Sequence, residues 1–405
     1  MEQLPQRTQI FSGALYFLTS GKRALIFITL ALFIFTGCSS FPGNDPFLKN
    51  FPPVGANFEQ HVQRMQQYLL DTRMPQRSAS DVDLNLPFEL KANPEASYKG
   101  KYLLIHGLND SPGIWQDIAS SLSENGYDVR AILLPGHGNT PEALLNVSYR
   151  HWLALAQEHF TLWFEPNKPF YIGGFSLGAV IATILVQEND GIDGLFLVSP
   201  AYYSTRNHLL RWASLVAPFK PWVFGGMIRE DNPIRYNSIP INSAAQYYKT
   251  TRYLLRPWKT LKIDIPVLMV ATTADSVVDV EKTRDFFQHK FTHPKKRLLL
   301  FDTDNTIARD GEIVIESSYP EKRILNQSHR SLLVAPQNPL FGEDGSILVC
   351  NGNEWPVFSS CLFYQGSDRW LAAEGTPSPD GIPVARTTYN PDYAALMDFH
   401  TQVFE

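Results

Sequence analysis

A serine hydroxyl becomes a nucleophile only when the chain exposes it and holds it beside a base. One stretch of this sequence has the residue types for that. Gly174-Phe175-Ser176-Leu177-Gly178 lies directly after an apolar run and directly before a helical one. Small residues on either side of a serine let the chain turn sharply from strand to helix, which leaves the hydroxyl exposed on the turn. The N-terminus of the following helix, with the free N–H of Leu177, then faces the oxyanion that forms when Ser176 attacks a carbonyl. A pentapeptide this loose also arises by chance, and its plain alternative is a buried serine in a Gly-rich turn. The strand–turn–helix context is what gives it weight.

The surrounding sequence supplies that context. From about Lys99 short apolar runs alternate with helical periodicity: Tyr102–Ile105, Asp128–Leu134, Phe170–Ile172, Leu195–Val198, Val267–Val270 and Lys296–Phe301 read as strands. Between them Ser111-Pro112 opens a helix on which Ile114, Ile118 and Leu122 share a face, and Ser148 caps another with Trp152, Ala156, Phe160 and Trp163 on one stripe. A third follows from Leu177 to Gln187, and Phe58 to Asp71 forms a helix ahead of the series. Continuous rather than alternating apolar strands imply an α/β fold with a mostly parallel central sheet and helices on both faces. Residues 201–262, rich in Trp, Tyr and Phe (Trp212, Phe219, Trp222, Phe224, Tyr247, Tyr248), interrupt the rhythm after a strand end, where a lid could cover the sheet edge. Those aromatics suit an apolar acyl chain, or they are plain core.

From about residue 99 to 335 the chain resembles the α/β-hydrolase fold, in particular its monoacylglycerol lipase and carboxylesterase branch. His106-Gly107-Leu108 after its strand resembles the oxyanion loop of that family, which implies backbone N–H donors at Leu108 and Leu177. Pro135-Gly136-His137-Gly138 also stands where this branch has it, and His137 reads as structural. The family order is serine, acid, histidine. Ala274-Asp275-Ser276-Val277-Val278-Asp279 after the run Ile265–Val270 resembles the acid loop and selects Asp275, with Asp279 expected instead at the start of the next helix. Of the histidines beyond it, His289 and His293 precede the last expected strand and His400 lies in the terminal helix. Only His329 falls where the family keeps its base. The family reaches that histidine sooner after the last strand. Here 302–328 intervenes, so an insert or an extra hairpin around Glu312–Glu316 must be bypassed.

The resemblance implies a serine hydrolase acting on carboxylic esters through an acyl-enzyme, with a small acyl ester or lipid as substrate and neither cofactor nor metal. A serine peptidase or acyltransferase of the same fold, and a non-catalytic scaffold, are the alternatives. Asp-nucleophile hydrolases of this fold are excluded by Ser176. Leu298–Phe301 followed by Asp302-Thr303-Asp304-Asn305-Thr306 resembles the first motif of haloacid-dehalogenase-type phosphatases. Too little strand–helix rhythm follows to build that fold, and Ile307 stands where a calcium loop needs glycine.

The N-terminus addresses the protein. Arg7, Lys22 and Arg23 flank an apolar run from Ala24 to Thr36, too short for a comfortable span but of the length and charge order of a secretory signal. It ends in Phe35-Thr36-Gly37-Cys38, which resembles a bacterial lipoprotein lipobox. That implies lipidation at Cys38 and, with Ser39 and Ser40 following, the outer membrane facing the periplasm. An uncleaved anchor helix is the alternative. Cys350 and Cys361 either pair as a disulfide, as an oxidising compartment allows, or remain buried thiols. With 35 Lys and Arg against 40 Asp and Glu, and no block of like charge, there is no electrostatic footprint for nucleic acid. The organisation expected is a signal at 1–37, a tether at 38–56, hydrolase core at 57–200 and 263–335 with an insertion at 303–325, a lid at 201–262, a loop-rich extension at 336–388 and a terminal helix at 389–405.

Overall fold

The apolar runs become strands whose side chains are covered on both sides. In chain order the central sheet contains β1 (Phe88–Leu90), β2 (Gly100–Ile105), β3 (Tyr127–Ile132), β4 (Phe170–Phe175), β5 (Gly194–Val198), β6 (Val267–Thr272), β7 (Lys296–Asp302) and β8 (Glu312–Glu316). This is seen in a computed structural model that describes residues 46–75, 77–350, 361, 364–366 and 368–405. The signal, Cys38 and the first part of the tether lie outside the described residues. Among the described residues no helix is long and apolar enough to cross a membrane.

The strand order is β1-β3-β2-β4-β5-β6-β7-β8, with β1 antiparallel to β3 at one edge and every other pair parallel. Such a sheet must have both faces covered, because parallel strands need crossover connections. On one face Leu103, Ile105 and Ile172 pack with the helices α3 and α4 described below. On the other, Tyr102 and Leu104 pack with Ile118 and Leu122 from one helix and Leu396 and Val403 from another. The longer helices are α1 (Phe58–Thr72), α2 (Gln116–Glu124), α3 (Tyr149–Trp163), α4 (Leu177–Glu188), α5 (Ile241–Leu254), α6 (Val280–Lys290) and α7 (Tyr393–Phe404). Ser148 caps α3 by accepting the Arg150 N–H. Ser111, expected to cap, makes no such bond, because a 3-10 turn over Pro112–Trp115 precedes α2.

Three further departures have physical causes. The stretch expected as a tether to residue 56 is packed from Phe47 onward: Phe51 stacks edge-on against Tyr68 of α1, Val54 is buried, and the Tyr68 hydroxyl donates to Phe47 O. Glu312–Glu316 is not a hairpin but β8, parallel to β7, with Leu298 opposite Glu312. Its crossover has no helix. It is held instead by Asp302, whose carboxylate accepts from Thr273, Thr306 and the Asp304 N–H, and by the buried Arg284–Glu312 ion pair at 2.6 Å. The loop-rich extension contains two short parallel strands, β9 (Trp370–Ala372) and β10 (Val384–Arg386); the expected pairing of Cys350 with Cys361 is present, with Cα atoms 5.6 Å apart.

The segment 201–262, expected as a lid, is divided in character. Tyr247 of α5 is buried with its hydroxyl donating to Ala201 O, so it is core. Beyond two short helices, Asn207–Leu210 and Ala213–Val216, Trp212, Phe219 and Phe224 remain exposed.

Candidate active site

The strand order reverses between β2 and β4, and open α/β sheets form their crevice at the carboxyl ends of strands at such a point. Ser176 follows β4 and the His106-Gly107-Leu108 loop follows β2, so both arrive there.

Ser176 joins strand to helix at φ 54°, ψ −114°, a conformation that costs a non-glycine residue about 1–3 kcal/mol. Its neighbours hold it in place. The Ser176 N–H donates to Val198 O at 3.0 Å, and Ser176 O accepts from the Ala201 N–H at 3.2 Å. The flanking glycines are required by contact: a Cβ on Gly178 would lie 2.0 Å from Ile105 O, and one on Gly174 would lie 2.5 Å from Gly178 O. Gly107 is equally constrained, since a Cβ there would meet the Phe175 ring at 3.0 Å and Ser176 Cβ at 3.1 Å. The oxyanion-loop candidate therefore runs against the serine. Leu177 is the first residue of α4, and its N–H has no partner within the helix by position.

The structure brings Ser176, His329 and Asp275 into one hydrogen-bonded row. His329 Nε2 lies 3.0 Å from Ser176 Oγ, and His329 Nδ1 lies 2.6 Å from Asp275 Oδ2. An ionised carboxylate only accepts, which puts the proton on Nδ1 and leaves Nε2 free to accept the serine proton. Asp275 is itself fixed: Oδ1 accepts from the Val277 and Val278 N–H groups at 2.8 and 2.9 Å. Asp279 does other work, capping α6 by accepting the Lys282 N–H.

His329 sits on a loop reached only after β8, which is why it comes late in the sequence. Its ring lies against Phe175, with centroids 5.1 Å apart, and its carbonyl accepts from Ser199 Oγ at 2.8 Å. The residues before it are gripped from far along the chain. Thr272 donates to Gln327 O, Ser328 Oγ to Thr387 O, and Thr387 Oγ1 to Asn326 O, while Asn326 Oδ1 accepts the Ala373 N–H. Sequence reasoning does not find Asn326, Ser328 and Thr387 as positioning residues, because partners some 60 positions apart leave no local pattern.

Five other histidines are engaged elsewhere. His106 is buried; its Nδ1–H donates to Gly107 O and its Nε2 accepts the Leu134 N–H. Burial, with the neighbouring His137, pushes it well below the usual imidazole range. His137 is buried beside it and lowered to about 4 by burial. His289 bonds to Asp285 O, His293 accepts the Lys295 N–H, and His400 contacts the Tyr102 hydroxyl. Among the described residues no group of three or more His, Cys, Asp or Glu is placed to hold a metal.

With this geometry in hand, residues 96–228 match the family model of serine aminopeptidases of the S33 type, about a third of the chain. No curated protein matches this sequence. Among solved structures it is similar to one of the metagenome-derived lipolytic enzymes LipS and LipT, at 18% identity over 54% of this chain and 87% of the other, TM-score 0.44. It is also similar to a monoglyceride lipase from Saccharomyces cerevisiae, at 17% identity over 56% and 85%, TM-score 0.44. A third is the Paleococcus ferrophilus monoacylglycerol lipase, at 18% identity over 53% and 88%, TM-score 0.44.

Proposed function

We propose that this chain, an α/β-hydrolase by its fold, is a serine carboxylester hydrolase with Ser176 as nucleophile, His329 as base and Asp275 as the acid that orients it. The observation that carries the reading is the unbroken row Asp275–His329–Ser176 at 2.6 and 3.0 Å, with the serine on a strained elbow at the switch point of the sheet. His329 takes the Ser176 proton as the hydroxyl attacks the ester carbonyl. The N–H groups of Leu108 and Leu177 receive the oxyanion. His329 then protonates the leaving alcohol, and water activated by the same ring releases the acid from the acyl-enzyme. The exposed Trp212, Phe219 and Phe224 of the lid region support an apolar acyl group as substrate.

The test combines a fluorophosphonate probe with 4-nitrophenyl esters of graded acyl length, on the parent, Ser176→Ala and His329→Ala. Amino-acid 4-nitroanilides are run beside them, because the matched family model is described by an aminopeptidase. Labelling and ester turnover in the parent, with turnover lower by ~10⁴-fold or more in both variants, is the expected result. A folded parent that neither labels nor turns over esters ends the proposal in favour of a binding scaffold. Turnover of anilides alone replaces esterase by peptidase.

The place of action proposed is the outer membrane facing the periplasm, by lipidation of Cys38. The basic flank, apolar run and Cys38 support it, as does a disulfide suited to an oxidising compartment. Palmitate labelling and membrane fractionation of Cys38→Ser test it. If Cys38 is the anchor, Cys38→Ser loses both label and membrane association; if an uncleaved helix is, the parent takes no label and the variant stays with the membrane.

A further inference from the structure

Three guanidinium groups from separate parts of the chain meet at one pocket. Arg235 comes from the lid insertion, Arg330 directly follows the candidate base, and Arg386 ends β10 of the extension; Phe341, Val349 and Thr387 complete much of the wall. The enclosed part has room for about one water, and the roughly 290 Å³ of space between the lining residues includes open solvent.

Arg330 and Arg386 each have a carboxylate at ion-pair distance. Arg386 pairs with Glu374 at 2.8 Å. Arg330 Nη2 stands 2.8 Å from Asp110 Oδ1, an ion-pair distance, but neither that nitrogen nor the buried Nε makes a hydrogen bond. Arg235 has no carboxylate partner among the described residues. Burial, reinforced by Arg235, lowers the Arg330 and Arg386 guanidiniums to about 10, which leaves both charged at neutral pH. Gathering like charges in a partly dry space is unfavourable unless something negative completes it. Guanidinium forks match carboxylate and phosphate oxygens, and Arg330 brings a buried donor that no described residue accepts from.

We propose that Arg235, Arg330 and Arg386 form a binding site for a small oxyanion, a phosphate or carboxylate group. The anion fills the pocket with one face still hydrated, accepts from Arg330 and supplies the counter-charge that Arg235 lacks. It ties the lid insertion, the His329 loop and the extension to one centre. The site is independent of whether Ser176 is a nucleophile, so its test reads binding, not turnover.

The experiment is a melting-temperature titration of the full chain in detergent, followed by tryptophan fluorescence. Sodium phosphate and sodium acetate are added up to ~50 mM, with sodium chloride holding the ionic strength constant. Saturable stabilisation by phosphate or acetate is expected, about 2 °C at ten times the dissociation constant. Arg235→Gln should abolish it and Arg235→Lys, which keeps the charge without the fork, should weaken binding several-fold. Arg229→Gln, which alters a side chain 80% exposed on the same segment, should leave it intact. No rise beyond the chloride control, or an equal rise in Arg235→Gln, overturns the proposal. Glycerol 3-phosphate identifies the source: about tenfold tighter binding than inorganic phosphate indicates an organic phosphate, and equal binding a free anion, both outcomes supporting the site.

Discussion

Ser176 and His329 stand 3.0 Å apart, yet two different kinds of structure hold them. The serine is fixed by its own neighbourhood. Gly174 and Gly178 admit the turn, β2 and the Gly107 loop press against it, and Val198 and Ala201 tie down its peptide group. The histidine is fixed by hydroxyls and amides that arrive from elsewhere, at separations of 55 residues for Thr272 to Gln327, 59 for Ser328 to Thr387 and 130 for Ser199 to His329. The candidate nucleophile is therefore a property of a pentapeptide on a sheet, whereas the candidate base is a property of the C-terminal extension folded over its loop. Damage to the first should appear as lost folding, and damage to the second as lost turnover in a protein that still folds.

Gly178→Ala attacks the elbow side and should have the largest effect. The new methyl would lie 2.0 Å from Ile105 O and 2.6 Å from His106 O, both backbone atoms of a buried strand end that cannot yield cheaply. Overpacking of this kind costs about 3 kcal/mol, and α4 must move away from β2 to relieve it. Urea unfolding should show a clear loss of stability together with loss of fluorophosphonate labelling. Parent-like stability and labelling would remove the packing argument for the glycine.

Thr387→Val attacks the other side. It keeps the shape of the side chain but removes the hydroxyl that donates to Asn326 O, two residues before the one whose Oγ bonds back to Thr387 O. One buried acceptor left unpaired costs about 1–2 kcal/mol, a small part of the stability of a chain this size. A base displaced by up to an ångström lowers turnover by about 10- to 100-fold. The expected result is a fall in kcat with KM nearly unchanged, and recovery in Thr387→Ser, which restores the donor. If kcat does not change, the extension does not position His329 and the contrast between the two sides fails.

That contrast also explains what the sequence disclosed. Strands β2, β4, β5 and β6 were legible because burial on both faces demands unbroken apolar runs, and the elbow because its glycines are consecutive with its serine. β1, β9 and β10 are three residues each and lie away from the sheet interior, so they carry no periodicity to read. β8 was visible as a segment, but its pairing direction depends on a crossover held by Asp302 and Arg284, which no local pattern encodes. Asp275 and His329 were reached through a family resemblance in chain order, not through their surroundings. The grip on His329 by Asn326, Ser328 and Thr387 emerges only once the extension is folded back.

Acid gives the finest test, because it loads buried histidines that are no part of the clamp on His329. His106, His137 and His400 are all buried around β2 and β3; His400 Nε2 is 2.7 Å from the Tyr102 hydroxyl of β2, and its ring faces Tyr127, Phe196 and Phe404. Burial, with a smaller contribution from Lys99, lowers His400 to about 3, and His137 stands at about 4. The clamp on His329 is built from hydroxyl and amide groups, none of which titrates in this range. An unfolded histidine binds its proton near pH 6.5 and these folded ones do so only well below it. Between those values the unfolded chain carries more protons, so stability is full above pH 6.5 and falls as the pH drops. Each such histidine contributes a slope of about 1.4 kcal/mol per pH unit. Urea unfolding of His400→Gln at pH 7, 6 and 5 should show a pH dependence shallower than the parent by about that amount between pH 6 and 5. Thr387→Val should keep the parent slope. A His400→Gln slope equal to the parent's would mean that His400 is not held neutral under β2. A shallower slope in Thr387→Val would mean that the two sides share their proton linkage.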